Sequence, residues 1–422
     1  MEQTRQNCNG VEFLLDGDAY FARLHARLED VRAAGAGNNR CVRLAFWQMS
    51  PDTFLPVTGN LPGRYLCDVL EAIARLGTPV QLIAWYGTYG VNIFNHEMSS
   101  NWAMKKWVDA TNTANANRQG YRAISIFMET YGNRTNVGMS THQKIAVVAD
   151  GANKDAFVGG MNLAQKYLSS ATHDPVNSWH DTAVRVTGTI VNDIEGEWLR
   201  RWGKQSNPPA PNQAVGVAGA VQNGVTITML TTNIEANPAE NSIRDKMVTR
   251  IQNATNFIYL ENYALTDPRL ISELAARKRA GIAVIPVVNH PGNMTQEGFE
   301  IFSYLMFYTF VELGLADFTS FGSVDTWTAF FTKTPITHNA VDVVNPVVRK
   351  NGFDPAKTAK NNPVNSFCLN YQTQQHAPKS AMFRDIWTIN TNDPVMYAPK
   401  NNRAIVSDTW TYLHSKLAMF DD

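Results

Sequence analysis

The sequence predicts an α/β protein made of two similar halves. Three observations carry this reading. Apolar runs of helical period alternate with apolar runs of strand length, the same order of elements occurs twice, and a Pro/Gly/Ala/Asn-rich stretch separates the copies. That stretch, "KQSNPPAPNQAVGVAGAVQNG" from Lys204 to Gly224, reads as a linker. The expected organisation is a first half over 1–205, a linker over 206–223 and a second half over 224–422.

In the first half, "DGDAYFARLHARLEDV" places Tyr20, Phe21, Leu24, Leu28 and Val31 on one helical face. The strand-like run "CVRLAFWQM" follows. A second helix, "YLCDVLEAIARLG", repeats apolar residues at Leu66, Val69, Leu70 and Ile73 and closes on Gly77, and "PVQLIAWYG" reads as a buried strand. In the second half, "NSIRDKMVTRIQNA" aligns Ile243, Met247 and Ile251 on a helix, and "FIYLENYAL" is the next strand. "TDPRLISELAARKRAG" is a helix with Asp267 as N-cap, Pro268 as its first residue and Gly281 as its stop, and "IAVIPVV" is the strand after it. Alternation of this kind argues for sheets covered by helices, with largely parallel pairing.

Composition narrows the class. The chain has 422 residues, 44% hydrophobic and 18% charged, enough to bury a substantial core. A formal net charge of +0 leaves no general footprint for nucleic acid. Cys8, Cys41, Cys67 and Cys368 are spaced for neither a zinc cluster nor a disulfide framework. The N-terminus lacks the basic and apolar regions of a Sec signal peptide. The most apolar window, "FEIFSYLMFYTFVELGL", contains Glu300 and Glu312 and is short for a membrane span. A soluble protein is expected, cytoplasmic or exported without such a signal peptide.

Each half carries a His-x-Lys at the head of an apolar run. The first is "STHQKIAVVAD", with His142 and Lys144; the second is "TYLHSKLAMFDD", with His414 and Lys416. Residues two apart on a strand point the same way, so each pair offers an imidazole and an ammonium to one face. One copy has little weight, but two copies in corresponding parts of a repeat point to phosphate chemistry. The first copy continues "GANKDAFVGGMNL", a hairpin turn over Gly151 to Asp155 and a return strand ending in Gly159, Gly160 and Asn162. Small residues there would admit a phosphate oxygen to the backbone, and the Asn162 amide could donate to it.

With these motifs the sequence resembles the phospholipase D superfamily, whose signature is His-x-Lys-x4-Asp followed by Gly-(Ser/Gly)-x-Asn in each half. "SWHDTAVRVTG", Ser178 to Gly188, is similar to the Trp-His-Asp strand after the first motif, and "FIYLENYAL" to the strand with an Ile-Glu-Asn-Gln core. The resemblance runs from about Gly10 to Asp422 and weakens over 322–408. It implies two pseudo-symmetric α/β/α sandwich halves with mixed, largely parallel sheets and the active site between them.

The resemblance also implies roles. His142 is the nucleophile that forms a phosphohistidine, and His414 is the general acid and base. Lys144, Lys416 and Asn162 bind phosphate, with Gly160 giving room. Asp181 matches the aspartate that orients the first histidine, while His180 has a structural or rim role. No metal and no cofactor are expected. The expected activity is a metal-independent phosphodiesterase of phospholipase D type, a hydrolase that could also transfer the phosphatidyl group. The partners are a phospholipid at a membrane surface and water or an alcohol as acceptor, and the chain is expected to be a monomer. A nuclease, a phosphatidyl transferase or an inactive binding relative are the competing readings.

Lipid is preferred to nucleic acid for three reasons: both motifs lie in one chain, the net charge is zero, and an aromatic stretch, "SVDTWTAFFTKTP" with Trp327, Phe330 and Phe331, precedes the second motif. Those aromatics could equally pack the insertion's own core. Two features depart from the family pattern. Five residues separate Lys144 from Asp150 where the family has four, so either a bulge absorbs one residue or Asp150 belongs to the turn. The second motif keeps the family spacing to Asp421, but the chain stops before a Gly-Ser-x-Asn strand. A fragment, weakly active or inactive, is therefore expected. "GEWLRRWGK" fails as a P-loop, and no Gly-x-Ser-x-Gly elbow is present. A metal site at His173, Asp174 and His180 is disfavoured.

Overall fold

In a computed structural model, the described residues are 2–86, 95–129, 141–170, 179–205, 215–216, 218–233, 240–263, 265, 267–288, 396–397 and 412–421. The aromatic stretch with Trp327, Phe330 and Phe331, the apolar window 299–315, and His173 and Asp174 lie outside them. The chain divides into two compact units, Met1–Ile243 and Arg244–Asp422.

The first unit is a three-layer α/β/α sandwich. Its elements in chain order are β1 (Glu2–Leu15), α1 (Asp16–Ala34), β2 (Arg40–Phe46), α2 (Leu66–Arg75), β3 (Val80–Trp85), α3 (Asn95–Ala114), β4 (Ser125–Glu129), β5 (Ile145–Asp150), β6 (Lys154–Gly159), β7 (Thr182–Gly188), α4 (Ile190–Trp202) and β8 (Val225–Leu230). They form an eight-stranded sheet in the order β8-β1-β7-β6-β5-β2-β3-β4. β8, beyond the expected linker, pairs antiparallel with β1.

Strand alternation sorts the core into two faces. Val42, Leu44 and Phe46 of β2, Leu82 of β3 and Ala146 and Val148 of β5 pack with Phe21, Leu24 and Leu28 of α1, Leu70 and Ile73 of α2 and Met104 of α3. The alternate residues Ala45, Ile83, Ile145 and Val147 pack on the other face with Ile190, Ile194, Trp198 and Trp202 of α4. Trp198 and Trp202 stack with centroids 4.9 Å apart. Each fully buried Leu or Ile contributes roughly 1.5–3 kcal/mol relative to an exposed one. The α4 face also holds charge: Arg43 pairs with Glu195 and lies 5.2 Å over the Trp198 ring, and Arg201 meets Glu129 at 2.6 Å.

The α/β fold is the one expected, but the sheet of the first unit is less parallel than expected. Parallel pairing is confined to β2-β3-β4, where helices make the crossovers. β5 and β6 are joined by the short turn at Gly151 (φ +97°) and must run antiparallel, as do β1, β7 and β8 along the far edge. The same turn resolves the extra residue of the first motif. β5 pairs with β6 in continuous register, and Asp150 Oδ1 accepts from the backbone N–H of Ala152 (2.8 Å) and Asn153 (2.7 Å). Asp150 therefore serves the turn, and no bulge is present. Burial pushes its carboxyl up, but the bonds from Asn153, Ala152 and Arg27 hold it below the ordinary range.

The second unit repeats part of this plan. α5 (Ser242–Asn253) leads to β9 (Phe257–Asn262), α6 (Pro268–Arg279), β10 (Ala283–Val288), β11 (Met396–Tyr397) and β12 (Lys416–Phe420), in a sheet of order β11-β10-β9-β12. β9 pairs parallel with β10 and antiparallel with β12, as β2 does with β3 and β5. Asp267 caps α6 through the N–H groups of Arg269 (2.9 Å) and Leu270 (3.2 Å). Among the described residues no helix is long and apolar enough to cross a membrane.

Candidate active site

In the first unit the site grows from the four residues before β5. The Lys144 ammonium donates to the His142 carbonyl (2.7 Å) and lies 3.1 Å from Nδ1 of the same histidine. Lys144 is buried while the His142 ring is exposed. Gln143, between them, points toward α4: its Nε2 donates to Glu197 (3.0 Å), and its Oε1 accepts from Arg201 (3.4 Å). The middle residue of the motif thus anchors the segment, while its neighbours form the His-Lys pair.

The second unit builds the same pair. Lys416 opens β12 opposite Asn262, and its Nζ stands 3.2 Å from His414 Nδ1 while donating to the His414 carbonyl. Ser415 between them is fully buried. At the far end of β12, Asp421 accepts from the N–H (3.1 Å) and hydroxyl (3.0 Å) of Thr255. Those bonds, with others from Phe257 and Asn256, outweigh desolvation and pull its carboxyl down to about 2.

The remaining expected residues are differently engaged. A Cβ on Gly160 would stand 2.0 Å from Oδ1 of Asp181, so the space beside this glycine belongs to that carboxylate. Asp181 is buried, accepts from Thr182 N–H (2.8 Å), and is tied through its own N–H to Asp16 (3.3 Å). Asn162 is fully buried; its Oδ1 accepts from Gln48 N–H (3.0 Å) and its Nδ2 donates to the Tyr167 hydroxyl (2.7 Å). Gly160 thus accommodates Asp181, and the Asn162 amide joins the Gln48 and Tyr167 segments. His180 bonds Asp16 through Nδ1 at 2.9 Å, beside the site rather than within the His-Lys pair.

Three site residues were not read from the sequence. Trp47, one residue past β2, lies with its ring 5.0 Å from that of His142 and 6.0 Å from Lys144 Nζ. Tyr263, one residue past β9, lies 6.0 Å from the His414 ring and 5.3 Å from Lys416 Nζ. Asn101 of α3 is fully buried and holds the Trp47 carbonyl (2.9 Å), the Trp85 carbonyl (2.8 Å) and the Met49 N–H (2.7 Å). The available signal was the alignment of "CVRLAFWQM" with "FIYLENYAL", which puts an aromatic at the seventh place of both. Among the described residues, no group of three His, Cys, Asp or Glu is arranged to hold a metal ion.

No family model matches the chain. Curated relatives do. Cardiolipin synthase A of Pseudomonas fluorescens (strain SBW25) is 26% identical over 194 residues, covering 46% of this chain and 33% of that protein. The probable cardiolipin synthase YwiE of Bacillus subtilis (strain 168) is 26% identical over 189 residues, covering 39% and 34%. The chain spans about a third of the length of these relatives. Among solved structures, phosphatidylserine synthase of Haemophilus influenzae Rd KW20 is 12% identical and covers 97% of this chain and 76% of that one, with a TM-score of 0.47.

A mixed α/β sheet with a His-x-Lys beside its antiparallel strand, built once in each unit, is a phospholipase D-like fold. Its sequence relatives are cardiolipin synthases, and the chain is similar to the phospholipid-synthase/phospholipase D superfamily.

Proposed function

We propose that the chain transfers a phosphatidyl group from a phospholipid phosphodiester to an alcohol, through a phosphohistidine. The observation that supports this best is the repeated His-Lys pair, with an ammonium 3.1 Å from one imidazole and 3.2 Å from the other. Relatives named as synthases favour an alcohol acceptor over water, so transfer leads and hydrolysis is its side reaction.

In this reading an imidazole nitrogen of His142 attacks phosphorus. The P–N bond forms as the P–O bond to the leaving alcohol breaks, and His414 gives that oxygen its proton. His414, now neutral, takes the proton of the acceptor hydroxyl, whose oxygen attacks phosphorus and releases His142. Lys144 and Lys416 neutralise the non-bridging oxygens as charge builds on them. Asp181, packed against Gly160, is assigned the role of orienting His142. Every proton taken is returned, so no further reactant is needed.

The test offers the full chain phosphatidylglycerol vesicles, phosphatidylcholine vesicles with a short alcohol, and single-stranded DNA, each with EDTA. Transfer product that disappears in His142→Ala, with labelled phosphate trapped on His142 in the wild type, is the expected result. Cleavage of DNA without lipid turnover would replace the lipid reading with a nuclease. Labelled phosphate on His414 would exchange the two histidine roles.

A further inference from the structure

We infer that Trp47 and Tyr263 are positioning residues: each presents its ring to a His-x-Lys pair and holds the lysine ammonium against the histidine. This rests on the reading of those pairs given above. The two aromatics occupy one place in the repeated plan. Asn262 pairs with Lys416, and Tyr263 is the next residue. In the first unit Ala45 pairs with Ile145, so continuing that register sets Phe46 against Lys144, and Trp47 is again the next residue. The flanking strands otherwise differ: Arg43 stands where Tyr259 does, and Ala45 where Glu261 does.

Both rings touch both members of their pair. Trp47 is nearer the imidazole, at 5.0 Å against 6.0 Å to the ammonium. Tyr263 is nearer the ammonium, at 5.3 Å against 6.0 Å to the imidazole. A cation within about 6 Å of an aromatic centroid is attracted by the ring quadrupole, and the attraction grows as water is excluded. Trp47 is 8% exposed, so it meets that condition. An aliphatic side chain would fill the same space and supply no such field.

Trp47 is itself fixed. Trp85 stacks behind it at 5.3 Å and 22°, and Asn101 ties the carbonyls of both tryptophans. The indole N–H of Trp47 and the hydroxyl of Tyr263 are donors too, and a Phe at either place keeps the ring while losing that donor, so the Phe variants separate the ring face from the donor.

The test compares the full chain with Trp47→Phe, Trp47→Leu, Tyr263→Phe and Tyr263→Leu. The first readout is the NMR shift of the Lys144 and Lys416 ε-methylenes, with Lys144→Met and Lys416→Met supplying the assignments. Ring currents should move both upfield in the wild type and in the Phe variants, and the shift should vanish at the matching lysine in each Leu variant. The second readout is the rate of phosphohistidine formation from phosphatidylglycerol vesicles, expected to fall about tenfold in the Leu variants and to return with Phe, in kcat rather than KM. Leu and Phe variants that are equally slow, or Leu variants as fast as wild type, would overturn the inference. So would a folded wild type whose lysine methylenes show no upfield shift, a result that needs no variant to fold. A wild type inert toward the lipid with both shifts present supports the ring contacts and removes the reaction assigned to them, so the two failures read differently.

Discussion

Gly160 and Asp181 share one space: a Cβ on the glycine would lie 2.0 Å from Oδ1 and 2.7 Å from Cγ of the aspartate. The carboxylate cannot swing away cheaply, because Oδ1 accepts the Thr182 N–H at 2.8 Å. Gly160→Ala should therefore cost about 1–3 kcal/mol of stability through overpacking. It should also slow phosphohistidine formation by displacing Asp181. Urea unfolding and the trapping rate check both, and in an Asp181→Gly background the stability penalty should shrink.

Asn162 is expected to act on stability before chemistry. Asn162→Ala leaves the buried Gln48 N–H and the Tyr167 hydroxyl without the partners that bind them at 3.0 and 2.7 Å. Loss of two buried hydrogen bonds at about 0.5–1.5 kcal/mol each should lower the melting temperature clearly. Tyr167→Phe removes one of the two bonds and should cost less. An Asn162→Ala protein that melts with the wild type but loses phosphate affinity would assign this residue to phosphate binding instead.

The pair Arg201–Glu129 tests how the first motif is held. Both side chains are fully buried and meet at 2.6 Å, and Arg201 also reaches Gln143 between His142 and Lys144. Arg201→Ala should destabilise by about 3 kcal/mol because the buried Glu129 carboxylate loses its nearest partner and keeps the Lys204 ammonium, 3.6 Å away. Arg201→Met with Glu129→Met should recover much of that stability. If Gln143 needs Arg201 to hold the motif, the double variant will fold yet stay slow; chemical denaturation and turnover separate the two effects.

Asp421 gives the second unit a pH signature. Its folded-state pKa of about 2 lies below the ordinary carboxylate value, so its bonds to Thr255 stabilise the fold above that value. The contribution declines as pH falls through the ordinary carboxylate range toward about 2. Asp421→Asn should be less stable than wild type near neutrality, and the gap should close between about pH 4 and pH 2. Urea midpoints of the two proteins along that pH range check it; a constant gap would refute the linkage.

How much was legible in the sequence varies with the range of the interaction. The helices at Tyr20–Val31 and Leu66–Ile73, the Asp267 cap and the strands they flank all follow from local periodicity, and the structure has them. The two His-x-Lys segments were equally plain, since each is contiguous. α4 was read only as a failed P-loop, although it covers a whole face of the sheet. Its stacked Trp198 and Trp202 declare themselves only against Ala45, Ile83 and Val147.

By itself, then, the sequence determined the order of elements, the repeat and the paired histidines and lysines, because those depend on residues a few positions apart. Only the tertiary structure decided what stands beside them. Sheet register brings Asp181 against Gly160 and Trp47 against His142, and it makes the first sheet mostly antiparallel. Register is fixed by pairings between residues up to a hundred or more positions apart, such as Arg40 with Asp150, and no local pattern encodes which ring or carboxylate such a pairing delivers.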